Sequence, residues 1–70
     1  MKKILLLGGP VFQKPVIQRA KSMGFYVGVA DISRDAPAAS LADEFFQGSI
    51  RDYDAMLAIA REFKPDAIAS

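Results

Sequence analysis

The residues best suited to chemistry gather around a glycine turn near the start of the chain. Gly8, Gly9 and Pro10 follow an apolar run, Gln13 comes three residues later, and Asp31 ends the next apolar run. Neither glycine carries a Cβ atom, so the backbone can turn sharply there and a ligand can approach it closely. We therefore take Gly8, Gly9, Pro10, Gln13 and Asp31 as the candidate ligand-binding residues.

The composition limits what chemistry the chain can perform. Its 70 residues include no Cys and no His. This excludes thiol nucleophiles, imidazole bases and the usual zinc ligands, and leaves carboxylates, Lys and Arg, hydroxyls and backbone groups. We predict no catalytic residue and no metal site within this chain.

Glycines after a first strand suggest dinucleotide binding, but the spacing fits poorly. When the fingerprint G-x-G-x-x-G is aligned on Gly8, Pro10 takes the second glycine position and Gln13 the third. The second glycine lets a pyrophosphate approach the backbone, and the third lets the helix pack closely. Asp31 is the one supporting feature, because an acid about twenty residues on holds a ribose hydroxyl. The phosphate-binding Walker pattern G-x-x-x-x-G-K-[ST] is also absent, because Lys14 is preceded by Gln13 and followed by Pro15.

Two interpretations of the turn remain open. Backbone N–H groups and the positive end of a helix dipole make an anion site plausible at Gly8 and Gly9, or the glycines only form a tight turn. Asp31 either binds a ligand or accepts hydrogen bonds from a neighbouring loop. Gln13 and Lys14 are the polar side chains nearest the turn, and they reach either a ligand or only water.

Hydrophobic periodicity predicts alternating strands and helices. The strands are predicted at residues 3–7, 25–30, 44–47 and 66–70, and the helices at 15–23 and 53–64, with Asp52 as the N-cap of the second helix and one helical turn near 38–42. The apolar stripe of the first helix is Val16, Ile17, Ala20 and Met23, and that of the second is Tyr53, Met56, Leu57, Ala60 and Phe63. A strand, a helix and a strand within about thirty residues form a βαβ unit, which requires parallel strands.

Charge and hydropathy argue against several partners. The formal net charge is +1 and the charges are interspersed, so we expect no nucleic-acid partner. The apolar run after Lys3 is far shorter than the ~20 residues that span a bilayer, and Gly8 interrupts it too early for a signal peptide. We expect a cytoplasmic protein with no membrane partner. Because the chain stops within an apolar strand, we also expect residues 1–70 to be an incomplete domain of a longer protein.

The segment DAPAASLAD at residues 35–43, together with the glycine turn and Asp31, resembles the N-terminal domain of ATP-grasp enzymes. The pattern is similar to carbamoyl phosphate synthase large subunits, biotin carboxylase and carboxylase-type phosphoribosylaminoimidazole enzymes. The resemblance implies a Rossmann-like α/β fold with a parallel sheet in the order 3-2-1-4. The first helix and the 32–43 loop would cover one face, and the second helix the other. Ligands would then bind near Gly8, Gly9 and Ser70, where the strand order reverses.

The resemblance also implies a function. The full enzyme would use ATP and Mg²⁺, held mainly by later domains of the same chain, to phosphorylate a carboxylate that an amine or thiol then attacks. Gly8, Gly9 and Pro10 would face the small-molecule acceptor, with Asp31 at the end of the second strand. The fragment alone would not be catalytic, and a homodimer is consistent with the family. The alternatives are an NAD(P)-binding Rossmann domain of an oxidoreductase and a non-catalytic binding module.

Overall fold

The apolar runs of the sequence form a parallel sheet in the computed structural model, which describes residues 1–70. The strands are β1 (Lys3–Leu7), β2 (Tyr26–Asp31), β3 (Glu44–Gln47) and β4 (Ala67–Ala69). They lie in the order β3-β2-β1-β4, and every pair is parallel. The Rossmann-like order predicted from the resemblance is confirmed. The sequences of the central strands β1 and β2 are mostly apolar because both faces of this part of the sheet are covered.

The two helices lie where the periodicity predicts them. They are α1 (Lys14–Ser22) and α2 (Tyr53–Phe63), and short 3-10 turns span Val11–Gln13 and Ala39–Leu41. The turn at Val11–Gln13 was not predicted, and it lets the chain begin α1 directly after the glycine turn. The second turn falls within the segment where one helical turn is expected.

Local signals explain where the helices begin and end. Asp52 caps α2, because its Oδ1 accepts a hydrogen bond from the backbone N–H of Ala55 at 3.0 Å. Gly24 follows α1 with φ of 88°, in the left-handed region expected for a C-terminal glycine. Lys64 ends α2 with φ of 55°, so the predicted end near that residue is also confirmed.

Each face of the sheet has its own cluster of buried side chains. On the first face, Leu6, Val27 and Val29 pack against Ile17 and Ala20 of α1 and against Ala38 of the following loop. On the second face, Leu5 and Ala30 pack against Phe63 of α2. The predicted coverage of the two faces is therefore confirmed.

The predicted apolar stripes of both helices are wider than the buried ones. Val16 is 45% exposed, Met23 62% and Tyr53 76%, so these three predicted core residues lie at the surface. The physical reason is that each helix buries only a narrow stripe against the sheet, and Val16 and Tyr53 lie at the margins of these stripes. Met23 lies beyond the end of α1, as its C-cap. The longest helix has 11 residues, and no helix is long and apolar enough to cross a membrane.

Candidate functional site

The glycine turn lies at the carboxyl end of β1, between the two neighbours of that strand. Leu7 pairs with Ala30 of β2, and Leu6 pairs with Ala69 of β4. Gly8 leaves the strand with φ of 100°, a conformation that side chains strongly disfavour, while its N–H still donates to Ala30 O at 2.7 Å. The turn therefore borders the point where the strand order reverses, which is where ligands bind in open α/β sheets.

Gly9 is enclosed by the chain itself. A Cβ atom at Gly9 would lie 3.2 Å from Val29 Cγ1 and 3.3 Å from Ala36 Cβ. Its carbonyl accepts a hydrogen bond from the N–H of Ala38 at 3.0 Å. The missing side chain of Gly9 thus faces the alanine-rich loop, and it allows that loop to pack directly on the turn.

Gly8 has more room than Gly9. A Cβ atom built on Gly8 would have Pro10 Cδ at 3.8 Å and Ile50 Cδ1 at 3.9 Å as its nearest neighbours, both ordinary van der Waals distances. Both glycines are buried, and Gly8 is the one with room for an added side-chain atom. Pro10 is half-buried and has no N–H, so it presents only its carbonyl, which accepts from the N–H of Gln13 at 2.9 Å.

Asp31 holds the turn and the following loop together. One carboxylate oxygen accepts from the Gly9 N–H at 2.8 Å, and the other accepts from the Ser33 N–H at 3.0 Å. The hydrogen bonds from Ser33 first, and then from Gly9, lower the pKa of Asp31 below its usual value. The carboxylate is thus ionised at neutral pH, and it performs the loop-binding role that the sequence left open. Its role as a ligand for the substrate stays a prediction.

Gln13 is buried at the junction between the turn and α1. Only 7% of the residue is exposed, and its side-chain Nε2 lies 3.5 Å from the carbonyl oxygen of Gly8, a long hydrogen bond. The structure thus brings Gly8, Gly9, Gln13 and Asp31 together around one turn. Lys14, the neighbouring polar residue considered from the sequence, is exposed.

A depression next to the turn, lined by both polar and apolar residues, was not anticipated. It measures about 330 Å³ and is lined by Asp31, Ile32, Ser49, Ile50 and Arg51. No salt bridge or side-chain hydrogen bond occupies the Arg51 guanidinium, although the Arg51 N–H donates to Ser49 Oγ at 3.2 Å. The position of Ser49 and Arg51, directly after β3, could have indicated them, because parallel strands present their carboxyl ends at one edge.

Charged residues away from the turn serve the fold or lie at the surface. Asp43 accepts from the Val27 N–H at 2.8 Å, and its second carboxylate oxygen lies 3.6 Å from Lys21 Nζ. Arg34 is exposed and donates to Gln47 Oε1 at 3.0 Å. No group of three or more carboxylates converges in a way that could hold a metal ion.

Comparison with known families decides what kind of domain this is. The Ribonucleotide synthetase preATP-grasp domain family matches residues 1–68. The chain belongs to this family. The formate-dependent phosphoribosylglycinamide formyltransferase of Parasynechococcus marenigrum is 36% identical over 67 residues, and that of Methanocaldococcus jannaschii is 35% identical over 66 residues. These matches cover 96% and 94% of this preATP-grasp domain but only 17% of each relative.

Solved structures agree with the family assignment. N5-carboxyaminoimidazole synthetase from Staphylococcus aureus, in complex with ADP, superposes with a TM-score of 0.85 at 34% identity, covering 96% of this chain and 17% of that one. The N5-carboxyaminoimidazole ribonucleotide synthetase of Thermotoga maritima gives a TM-score of 0.85 at 32% identity, covering 100% and 19%. The preATP-grasp domain therefore spans about a fifth or less of the relatives it matches.

Proposed function

We propose that this preATP-grasp domain forms the acceptor-substrate side of an ATP-dependent ligase whose substrate is a phosphoribosyl-linked amine. The relatives named above carry phosphoribosylglycinamide and carboxyaminoimidazole ribonucleotide in their names. The two compounds share a ribose phosphate and an amine-derived nitrogen. The observation that carries the proposal is the depression lined by Asp31, Ser49 and Arg51, which lies beside the Gly8 turn at the carboxyl end of the sheet.

The surroundings of the turn fit a sugar phosphate that carries an amine. Sugar hydroxyls need acceptors, and the Asp31 carboxylate lines the neighbouring depression together with the Ser49 hydroxyl. Arg51 supplies a positive charge in the same depression. Because Asp31 is also tied to Gly9 and Ser33, the turn and the wall of the depression are held in one arrangement before any ligand binds.

The residues around the turn offer few of the groups that Mg²⁺ and ATP usually bind. No carboxylate cluster is present to bind Mg²⁺. The Gly9 N–H already donates to Asp31, and Pro10 has no N–H that could donate to a phosphate. Two of the solved relatives were crystallised with ADP. We therefore propose that ATP and Mg²⁺ bind to other parts of the parent ligase, and that this domain by itself does not turn over.

The same features bear on the alternatives. The names of the relatives contain ribonucleotides, so they favour a parent enzyme like the phosphoribosylaminoimidazole enzymes over one like carbamoyl phosphate synthase. An NAD(P) site is disfavoured, because Pro10 and the buried Gln13 occupy the second and third glycine positions of the fingerprint. A cytoplasmic location and a homodimer stay predictions.

The test uses the complete protein encoded by the reading frame that contains this domain. ADP release is measured with ATP and Mg²⁺, with either glycinamide ribonucleotide and formate or aminoimidazole ribonucleotide and bicarbonate. We expect one of the two ribonucleotides to be required for ADP release. No ribonucleotide-dependent release in either mixture would contradict the proposal.

A matched pair of variants tests the role of the turn. Gly8→Ala adds a methyl group at φ of 100°, next to Ile50, which lines the depression. Gly24→Ala adds one in open space at φ of 88°, far from the turn. Both substitutions carry similar backbone strain, so we expect similar losses of stability. Only Gly8→Ala should raise the KM for the ribonucleotide, by roughly tenfold, with the KM for ATP little changed. An equal effect of both variants on the two KM values would show that Gly8 only shapes the fold.

A further inference from the structure

The largest depression of the chain lies between the alanine-rich loop and the edge strand β3. It measures about 430 Å³, and it is lined by residues 34–37, 39 and 40 of the loop and by Phe45 of β3. None of these residues lines the depression beside the glycine turn. The proposed function therefore makes no use of this surface.

Two contacts set the direction of the Arg34 guanidinium in this depression. Its Nε donates to Gln47 Oε1 at 3.0 Å, and the Gln47 amide is itself oriented, because its Nε2 donates to the Ile32 carbonyl at 3.2 Å. The guanidinium carbon lies 5.7 Å from the centre of the Phe45 ring. Since Phe45 lines the depression, these contacts place the guanidinium at its wall.

The two terminal nitrogens of Arg34 take part in no hydrogen bond or salt bridge within the chain. They present their N–H groups as a planar fork, which matches the two oxygens of a carboxylate. Because Nε is already held by Gln47, the guanidinium loses little freedom when a ligand binds. The depression thus offers a carboxylate a cation that is already positioned.

Asp35 determines which carboxylates suit this cation. It lines the same depression, yet the one salt bridge of the chain joins Lys21 to Asp43, so Arg34 and Asp35 are not paired with each other. A purely anionic ligand would be attracted by Arg34 and repelled by Asp35, and a purely cationic ligand would meet the opposite pair of forces. A ligand that carries both a carboxylate and an ammonium group avoids both repulsions.

We propose that this depression binds a small zwitterion with an apolar side chain, the chemistry of an α-amino acid. Its carboxylate accepts from the terminal nitrogens of Arg34, and its ammonium group donates to the Asp35 carboxylate. Its side chain packs on the Phe45 ring and on the alanines of the loop. The site shares no residue with the acceptor-substrate side of the domain, so the inference is independent of the proposed function.

The experiment compares three probes that share one apolar side chain. Leucine carries both charged groups, isocaproate lacks the ammonium group, and isoamylamine lacks the carboxylate. Titrations of the complete protein encoded by the reading frame, followed by ligand-detected NMR, measure the dissociation constant of each probe. We expect leucine to bind roughly fivefold to tenfold more tightly than either analogue, because each analogue loses one charged contact and keeps one repulsion. No measurable binding of leucine, or equal binding of leucine and either analogue, would overturn the inference.

Variants assign the binding to this depression. Arg34→Gln should weaken leucine roughly fivefold to tenfold and should bind isoamylamine no more weakly than the unmodified protein, because it removes a repulsion from the amine. Asp35→Asn should weaken leucine and strengthen isocaproate for the converse reason. Arg61→Gln, at an exposed residue of α2 that lines no depression, is the matched control and should bind all three probes like the unmodified protein.

Two results with the variants would contradict the inference. Unchanged leucine affinity in Arg34→Gln would place the binding elsewhere, and equal weakening of leucine and isoamylamine would mean that Arg34 only shapes the loop. Should Arg34→Gln fail to fold, Asp35→Asn and the comparison of the three probes decide the question. The proposed function is tested separately, by ribonucleotide-dependent ADP release.

Discussion

The two faces of the sheet are covered by different means. The loop face is covered by α1 and residues 36–41, with the small side chains Ala20 and Ala38 buried against it. The ring face is covered by α2, where one large side chain, Phe63, is 2% exposed. Phe63 stacks on Tyr26 with ring centroids 6.0 Å apart and meets the edge of Phe46 at 5.5 Å.

On each face a glycine lets the covering element approach the sheet. Gly28 lies beneath Phe63, and a Cβ atom there would be only 2.9 Å from the ring. On the loop face, the absence of a side chain at Gly9 lets Ala36 pack closely in the same way. The difference is that Gly9 is also bonded to Asp31, so the loop face is tied to the candidate site and the ring face is not. We therefore expect damage to the ring face to cost stability, and damage to the loop face to disturb the site too.

The largest effect is expected from Phe63→Ala on the ring face. Removing the ring should lower the free energy of unfolding by about 3–5 kcal/mol, because it leaves a large cavity above Gly28 and removes two aromatic contacts. Urea denaturation measures the change. Tyr53→Ala, at a side chain that is 76% exposed, is the control and should change stability by less than about 0.5 kcal/mol. Equal losses in the two variants would show that Phe63 does not anchor α2.

The second prediction concerns Gly9→Ala on the loop face. The added Cβ would press on Val29 and Ala36, so we expect a loss of about 1–3 kcal/mol from overpacking. The second substitution Ala36→Gly removes one of the two contacting atoms. The double variant should therefore be more stable than the sum of the two single changes predicts. Strict additivity would mean that Gly9 and Ala36 do not press on each other.

Asp31→Asn should have a smaller effect that depends on pH. At pH 7 we expect a loss of about 1.5 kcal/mol, because the amide has one oxygen where the carboxylate has two, so its NH2 group faces either the Gly9 or the Ser33 N–H and cannot accept from it. Exposure of the site to water keeps the loss from being larger. The pKa of Asp31 is lower in the folded protein than in the unfolded chain. The carboxylate therefore stabilises the fold above its unfolded pKa of about 3.9, and this contribution is lost as pH falls through the lower folded pKa.

Denaturation of the unmodified chain and of the Asp31→Asn variant between pH 7 and pH 2 measures this dependence. The stability difference between the two proteins should be constant above about pH 5 and should shrink below about pH 4. Asp35→Asn, at an exposed residue of the same loop, is the control and should change stability at pH 7 by less than about 0.5 kcal/mol. A difference for Asp31→Asn that does not change with pH would contradict the role of the ionised carboxylate.

The smallest effect is expected at the start of α2. Asp52→Ala removes the side-chain cap of the Ala55 N–H and should cost about 1 kcal/mol. Asp54, in the first turn of the same helix, makes no capping hydrogen bond, so Asp54→Ala should cost only a few tenths of a kcal/mol. Thermal unfolding compares the two. Losses of the same size would assign the effect to charge near the helix end rather than to the cap.

Much of the fold could be predicted because its signals are local. The apolar run that ends at Gly8, the cap at Asp52 and the left-handed glycine at position 24 each mark a boundary within a few residues of chain. The exposure of Val16, Met23 and Tyr53 could not be predicted in the same way. Whether a residue at the margin of an apolar stripe is buried depends on the width of its contact with the sheet, which helical periodicity does not specify.

The sequence by itself determined the alternation of strands and helices, and it determined that glycines follow β1. Only the tertiary structure decided what each glycine does. Gly8 and Gly9 are adjacent and both buried, yet only Gly9 lies tightly under the loop and donates to Asp31, because Asp31 and Ala36 come from distant parts of the chain. Hydrogen bonds and close packing between such residues depend on how the strands and loops are arranged in space, and local propensity does not contain that information.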